Sequence, residues 1–284
     1  MSKLKSLYHF LSPKRQNISL EYKVDFKPRH GHGKPPHPQL YSIIDANRGL
    51  YAENLKNFLD YKDIFHAIRL NKEESNENNP GWNNDFLPGL DIVTLYGMIR
   101  KYQPKRYVEI GSGNSTKVVR KAITEGKLDT QLTSIDPFPR ANIDHLADRV
   151  VRKPIEQLTD FSMISELEEN DILFIDNSHR CFPNSDVTVC FLELFPLLKK
   201  GVIVHVHDIY MPYDYPQFMC DRAYSEQYVL AAYILANPSK YFTICPNFFI
   251  SEDVELKKIM EPVWNHKTLE TVEQHGGSYW LQIR

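Results

Sequence analysis

The sequence predicts an α/β fold: a doubly wound, mostly parallel sheet of seven strands with helices on both faces, preceded by a helical extension. Three observations predict it. From residue 106 onward short apolar runs alternate with amphipathic stretches, the pattern of strands joined by covering helices. The first run passes through a turn of glycines and small polar residues, YVEIGSGNST at 107–116, into a helical stretch. The second ends on a lone carboxylate, Asp136, 23 residues beyond Gly113.

Bulk composition sets the frame. The chain has 284 residues, 42% hydrophobic and 25% charged, enough for one large core. Its 34 basic and 36 acidic residues leave a net charge of −2, so no nucleic-acid partner is expected. Cys181, Cys190, Cys220 and Cys245 form no Cys-x-x-Cys pair, which argues against a zinc ribbon or a disulfide framework and for reduced thiols. MSKLKSLYHFLSPKRQ offers a broken apolar stretch without a small-residue cleavage site, and no later run reaches membrane-spanning length. A cytoplasmic protein without a transmembrane segment is expected.

Residues 1–81 read as an N-terminal arm and helical extension, and 82–284 as the main domain. The first 40 residues hold eight Lys or Arg, two Asp or Glu and five prolines, and are expected to be extended, as a solvated arm or a contact between copies in a homo-oligomer. Residues 3–11 make a short basic amphipathic start of the kind that touches anionic membrane surfaces. His30, His32 and His37 are separated by Gly and Pro, which fix no ligand geometry. Tyr41, Ile44, Leu55, Phe58, Leu59 and Ile68 are spaced for helix faces. NKEESNENNPGWNND is a loop, with Trp82 either a packing anchor or a cover over a ligand. GLDIVTLYGMIRKYQ then forms a helix ending before Pro104.

RYVEI (106–110) is the first strand and STKVVRKAITEG (115–126) a helix, with Ser115 or Thr116 placed to cap it and Gly126 to stop it. LTSID (132–136), RVVR (149–152) and DILFID (171–176) are the next three strands. VTVCFLELFPLLKKG (187–201) is expected as a helix and VIVHVHD (202–208) as the fifth strand. AYSEQYVLAAYILAN (223–237) is a helix, and YFTICPNFFI (241–250) and SYWLQI (278–283) close the sheet.

Ligands of such sheets bind beyond the carboxyl ends of the strands. Gly111 and Gly113 let the backbone turn sharply, with helix amides facing a ligand. A dinucleotide turn reads G-x-G-x-x-G, and here Thr116 takes the third position. Asp136 at the next strand end suits both hydroxyls of a ribose.

EIGSGNST with SIDPF and FIDNSH resembles the class I S-adenosylmethionine-dependent methyltransferases over about residues 82–284, and more loosely the bacterial O-methyltransferase-like proteins of polysaccharide pathways. The resemblance implies a Rossmann-like sheet with an antiparallel seventh strand, and S-adenosylmethionine as cofactor. It implies that Gly111, Ser112, Gly113 and Ser115 face the methionine part, that Glu109 organises the turn and that Asp136 holds the ribose. Ile155 and Glu156 would lie near adenine, with Asp176 beside the cofactor.

Transfer from a sulfonium to a hydroxyl needs a nucleophile aligned behind the methyl and a group to take its proton. Asp176, His179, His207 and Asp208 sit at the ends of strands four and five, where that must happen. His179 is the candidate general base, with Asp208 and His207 beside it. His205 reads as a core histidine. Asp176, His207 and Asp208 are also similar to the cation triads of catechol O-methyltransferase-like enzymes, but a histidine among them departs from an oxygen-only Mg²⁺ set, and the reading without metal is favoured. Tyr210, Tyr213, Tyr215 and Phe218 either flank a sugar-like acceptor or pack their own loop. The expected activity is methylation of a small-molecule hydroxyl, such as a sugar or sugar nucleotide. The alternatives are a nicotinamide-dependent oxidoreductase or epimerase, disfavoured by Thr116 and by the lack of a Tyr-x-x-x-Lys pair, and a non-catalytic nucleoside-binding member of the fold.

Overall fold

A computed structural model describes residues 10–13, 16–139 and 141–284; Lys3 and Lys5 of the basic start lie outside them. Ahead of the sheet, from residue 38 on, come α1 (Pro38–Asp45), α2 (Arg48–Phe58), α3 (Lys62–Ala67) and α4 (Gly89–Tyr102). They are held by large apolar side chains. Tyr51, Leu55, Phe58 and Phe65 are fully buried, and Phe58 packs so closely on Gly97 of α4 that a methyl group there would lie 2.2 Å from its ring. Trp82 is a packing anchor: it is fully buried against Trp264, and its indole donates to the Phe65 carbonyl at 3.3 Å.

The sheet follows: β1 (Arg106–Ile110), α5 (Asn114–Gly126), β2 (Gln131–Ile135), β3 (Arg149–Val151), α6 (Ser162–Ser165), β4 (Ile172–Ile175), α7 (Asp186–Val189), β5 (Ile203–Val206), α8 (Gln217–Cys220), α9 (Glu226–Ala236), β6 (Tyr241–Pro246), α10 (Asn247–Glu252), α11 (Val254–Lys258), α12 (Glu261–Trp264) and β7 (Tyr279–Ile283). The strand order is β3-β2-β1-β4-β5-β7-β6. Strands β1 to β5 pair in parallel, and β7 runs antiparallel to both neighbours. Order reverses between β1 and β4, which opens a crevice at their carboxyl ends. Leu173, Phe174 and Val204 are solvent-free, as parallel strands covered on both faces should be.

Three expected elements differ. The 187–201 helix runs only to Val189, then continues as a π turn (Cys190–Leu194) and a 3-10 turn (Phe195–Leu197), because Pro196 has no N–H to extend the ladder. The sixth strand stops at Pro246, where α10 takes over. The glycine-rich turn places Gly113 before the first residue of α5, so Ser115 and Thr116 lie inside the helix; neither is the residue before it, but Thr116 closes a capping box from the third position by accepting from the Gly113 amide. Among the described residues, no helix is long and apolar enough to cross a membrane.

Candidate active site

The turn after β1 is pressed onto the end of β4. Gly111 has φ +85°, and a Cβ there would lie 1.8 Å from the Asp176 carbonyl oxygen, so no other residue fits. At Gly113 an added Cβ would meet nothing within 4 Å; the turn is open on the side that faces the crevice. Glu109 lies beneath it, fully buried, accepting from Thr116 Oγ1 at 2.5 Å and Ser115 Oγ at 3.3 Å. Thr116 Oγ1 in turn accepts from the Gly113 amide at 3.1 Å. Burial pushes the Glu109 carboxyl up to about 8, opposed by the Thr116 and Ser115 hydroxyls and reinforced by the Asp136 and Asp176 charges. Asp136 accepts from the amides of Ser112 (2.9 Å) and Phe138 (2.7 Å), which aims its carboxylate along the same crevice.

Two cavities flank this turn. One, of about 340 Å³, is lined by Gly111, Ser112, Asp136, Ile155, Glu156 and Asp176, with Phe138 and Asp186 at its edge. A second, of about 300 Å³, holds Gly113 and Ser115 together with Asn71, Asn84, Leu87 and again Asp176. Glu109 lines neither. It supports the turn from below.

A third cavity, of about 490 Å³, opens over β4 and β5 and is lined by Asp176, His179, His207, Asp208, Tyr210 and Tyr224 among others. All three cavities meet at Asp176. His179 and Asp208 both hold left-handed backbone, with φ +61° and +56°, which non-glycine residues adopt at a cost and chiefly at functional positions. His179 is buried, with Nδ1 2.9 Å from Glu226 Oε2 and Nε2 3.2 Å from Asp208 and 3.5 Å from Asp176. Burial alone would lower its pKa; the Glu226, Asp208 and Asp176 charges outweigh burial and raise it.

His207 lies deeper. Its Nε2 is 3.2 Å from Asp91 Oδ2, and its Nδ1 is 3.6 Å from Asp176 and 3.7 Å from Asp208. Burial opposes the charged ring, but these carboxylates hold it well above the ordinary histidine value. Asp91 is fully buried and also accepts from Asn247 Nδ2 and the amides of Gly277 and Ser278. His205 belongs to the core, stacked 3.9 Å on Trp280 and bonded to Ser278 Oγ, and burial keeps its pKa well down. Asp176 and Asp208 thus face two imidazoles, and among the described residues no group of three or more His, Cys, Asp or Glu is arranged to hold a metal ion.

Sequence reasoning missed Asp91 as the partner of His207 and Glu226 as the partner of His179. Asp91 is a lone carboxylate on a helix otherwise uncharged through Ile99, and that oddity was the available signal. Glu226 looks like any acid in a first helical turn. The aromatic loop divides: Tyr210 and Phe218 line the large cavity, Tyr215 is solvent-free, and Tyr213 packs on Gly31 of the arm. The arm is tied to this loop, since Asp214 Oδ2 accepts from the Arg29 and His30 amides at 2.6 and 2.9 Å and its carbonyl meets His32 Nε2.

Comparison with known proteins bears on this region. Residues 108–209 match the family model of a methyltransferase domain. An uncharacterized protein of Archaeoglobus fulgidus is 29% identical over 141 residues, covering 45% of this chain; the match spans 60% of that protein's length. Among solved structures, the SAH-bound Podospora anserina methyltransferase PaMTH1 aligns with TM-score 0.44 and 13% identity, over 80% of this chain and 88% of that one. The plantazolicin methyltransferase BamL, in complex with a triazolic desmethylPZN analog and SAH, aligns with TM-score 0.41 and 13% identity, over 86% and 99%. A methyltransferase of Geobacter sulfurreducens gives 0.35 and 21%, over 56% and 73%. These structural likenesses are too distant to assign a ligand. The matched segment runs from β1 past the end of β5, and the strand order around it, with β7 antiparallel between β5 and β6, completes one architecture: the chain is a Rossmann-like, mostly parallel seven-stranded sheet whose first five strands match a methyltransferase domain.

Proposed function

We propose that this protein methylates an oxygen of a small hydroxylated molecule, such as a sugar or sugar nucleotide, with S-adenosylmethionine as donor. One observation carries the reading: a nucleoside-sized crevice and a larger polar cavity meet at Asp176, and His179 lines the larger one beside that junction. The residues fit the cofactor. Asp136 would hold the ribose and Ile155 and Glu156 would wall the adenine, all three lining the first crevice with Gly111 and Ser112, while Gly113 and Ser115 line the second, where the methionine part would lie. Bound there, S-adenosylmethionine would supply an electrophilic methyl on a sulfonium. The chain's own work is then to hold the acceptor hydroxyl in the large cavity and to take its proton on Nε2 of His179, while Glu226 at Nδ1 balances the imidazolium that forms. Asp208 accepts from the same Nε2 once it carries the proton, and His207 with Asp91 fixes the two carboxylates from below. Phe218 and Tyr210 offer ring faces suited to a sugar.

Isothermal titration with S-adenosylmethionine and S-adenosylhomocysteine, with NAD as control, tests the cofactor reading. Both sulfur nucleosides should bind, and Asp136→Ala should weaken each by about tenfold or more. Binding of NAD alone would overturn the reading. Acceptors are then screened by methyl transfer in chelator.

A further inference from the structure

We infer that the N-terminal arm is a dimerisation strand: residues 17–27 pair antiparallel with the same segment of a second copy, about a twofold axis at Tyr22. The segment reads NISLEYKVDFK, and from Ile18 to Phe26 apolar and polar residues alternate without a break, the period that gives a strand one apolar face. Ile18, Leu20, Tyr22, Val24 and Phe26 are each 39% to 73% exposed, and the segment takes no regular structure. Among the described residues, none of the amides of residues 18–26 donates to another protein group. At the far end the Asp25 and Phe26 carbonyls accept from the Lys27 amide at 2.9 Å and from Gln217 Nε2 at 2.7 Å, so the ladder stands open from Ile18 to Val24 and its last pair forms only by exchanging these two bonds.

The charges select the partner. In the register centred on Tyr22, Glu21 of each copy faces Lys23 of the other, Ile18 faces Phe26 and Leu20 faces Val24. Moving one step either way puts Glu21 against Glu21, or Lys23 against Lys23 with Glu21 against Asp25. Opposite charges across a ladder stabilise and like charges destabilise, so the segment favours one self-pairing and penalises its neighbours.

A two-stranded ribbon is marginal in water unless its apolar face is covered, and a surface for that lies at the root of the arm. Arg29 and His30 border an apolar groove of about 460 Å³ with Leu40 and α9. Helix α9 is apolar on nearly every side, yet Tyr228, Ala232 and Leu235, at i, i+4 and i+7, are exposed. Helices of that composition are ordinarily covered all round.

Sedimentation equilibrium of the full chain tests the inference, with S-adenosylhomocysteine binding and circular dichroism as checks that each variant is folded. The wild type should be a dimer. Glu21→Lys and Lys23→Glu should each weaken it by about tenfold, and the double exchange should restore it. A monomeric wild type, a dimer indifferent to the single changes, or a double variant as weak as the singles would each overturn the inference. A monomer whose arm instead binds anionic vesicles would do the same.

Discussion

At the scale of the residue, the arrangement turns on which partner sets the charge of His179. Burial favours the neutral ring, and three carboxylates favour the imidazolium; the nearest, Glu226 at 2.9 Å, is itself solvent-free and so weakly screened. The sign follows. The folded-state pKa lies above its unfolded value of 6.5, so the pair's stabilisation is complete below about that pH and is lost as pH rises through the folded value. A general base must be neutral, so proton abstraction grows over the same interval in which the ion pair fades. Glu226→Gln removes the strongest raising charge and leaves only Asp208 and Asp176 to oppose burial. The His179 titration midpoint, followed by NMR of labelled imidazole, should therefore move to lower pH, and the rising limb of any methylation rate should move with it. An unmoved midpoint would mean that Glu226 does not hold the charge and that the proton path drawn above is wrong.

At the scale of the element, the junction of β1, α5 and β4 is the most constrained part of the crevice. Gly111→Ala would force a methyl group into a backbone carbonyl at a left-handed φ, with no flexible side chain able to yield. The loss should be roughly 2–4 kcal/mol of stability, read as a lower midpoint of denaturant unfolding, and a wild-type midpoint would show that the turn is looser than its packing implies. This junction was legible in the sequence because its chemistry is local: a glycine pair, an adjacent strand and a carboxylate at the next strand end are neighbours along the chain or in the sheet. The parallel strands were legible for the same reason, as unbroken apolar runs such as ILFI and IVHV. What stayed hidden was set by distant partners. Asp91 meets His207 across 116 positions and Glu226 meets His179 across 47, and nothing local to either carboxylate announces it. The 187–201 segment misled because its apolar spacing outvoted a single Pro196.

At the scale of the whole molecule, the boundary drawn at residue 81 divides the sequence by composition but does not divide the core. Tyr51, Leu55, Phe58 and Phe65 belong to the same hydrophobic cluster as Ile172, Val204 and Trp280 of the sheet. Polar ties cross the boundary too. Buried Asn54 donates to the Ile244 carbonyl of β6 at 2.9 Å, and Arg48 grips both oxygens of Asp253. Each large side chain loses about 1.5–3 kcal/mol when left uncovered, and four such losses approach the whole stability of an ordinary domain, about 5–15 kcal/mol. A fragment of residues 82–284 should therefore lack a cooperative thermal transition and near-ultraviolet dichroism. A chain shortened only to residue 28 onward keeps every helix from α1, together with the Arg29 and His30 bonds to Asp214, and should melt cooperatively. A cooperative melt of the 82–284 fragment would instead make the extension a separable unit, and would leave its aromatic residues as a docking face whose loss the sheet tolerates.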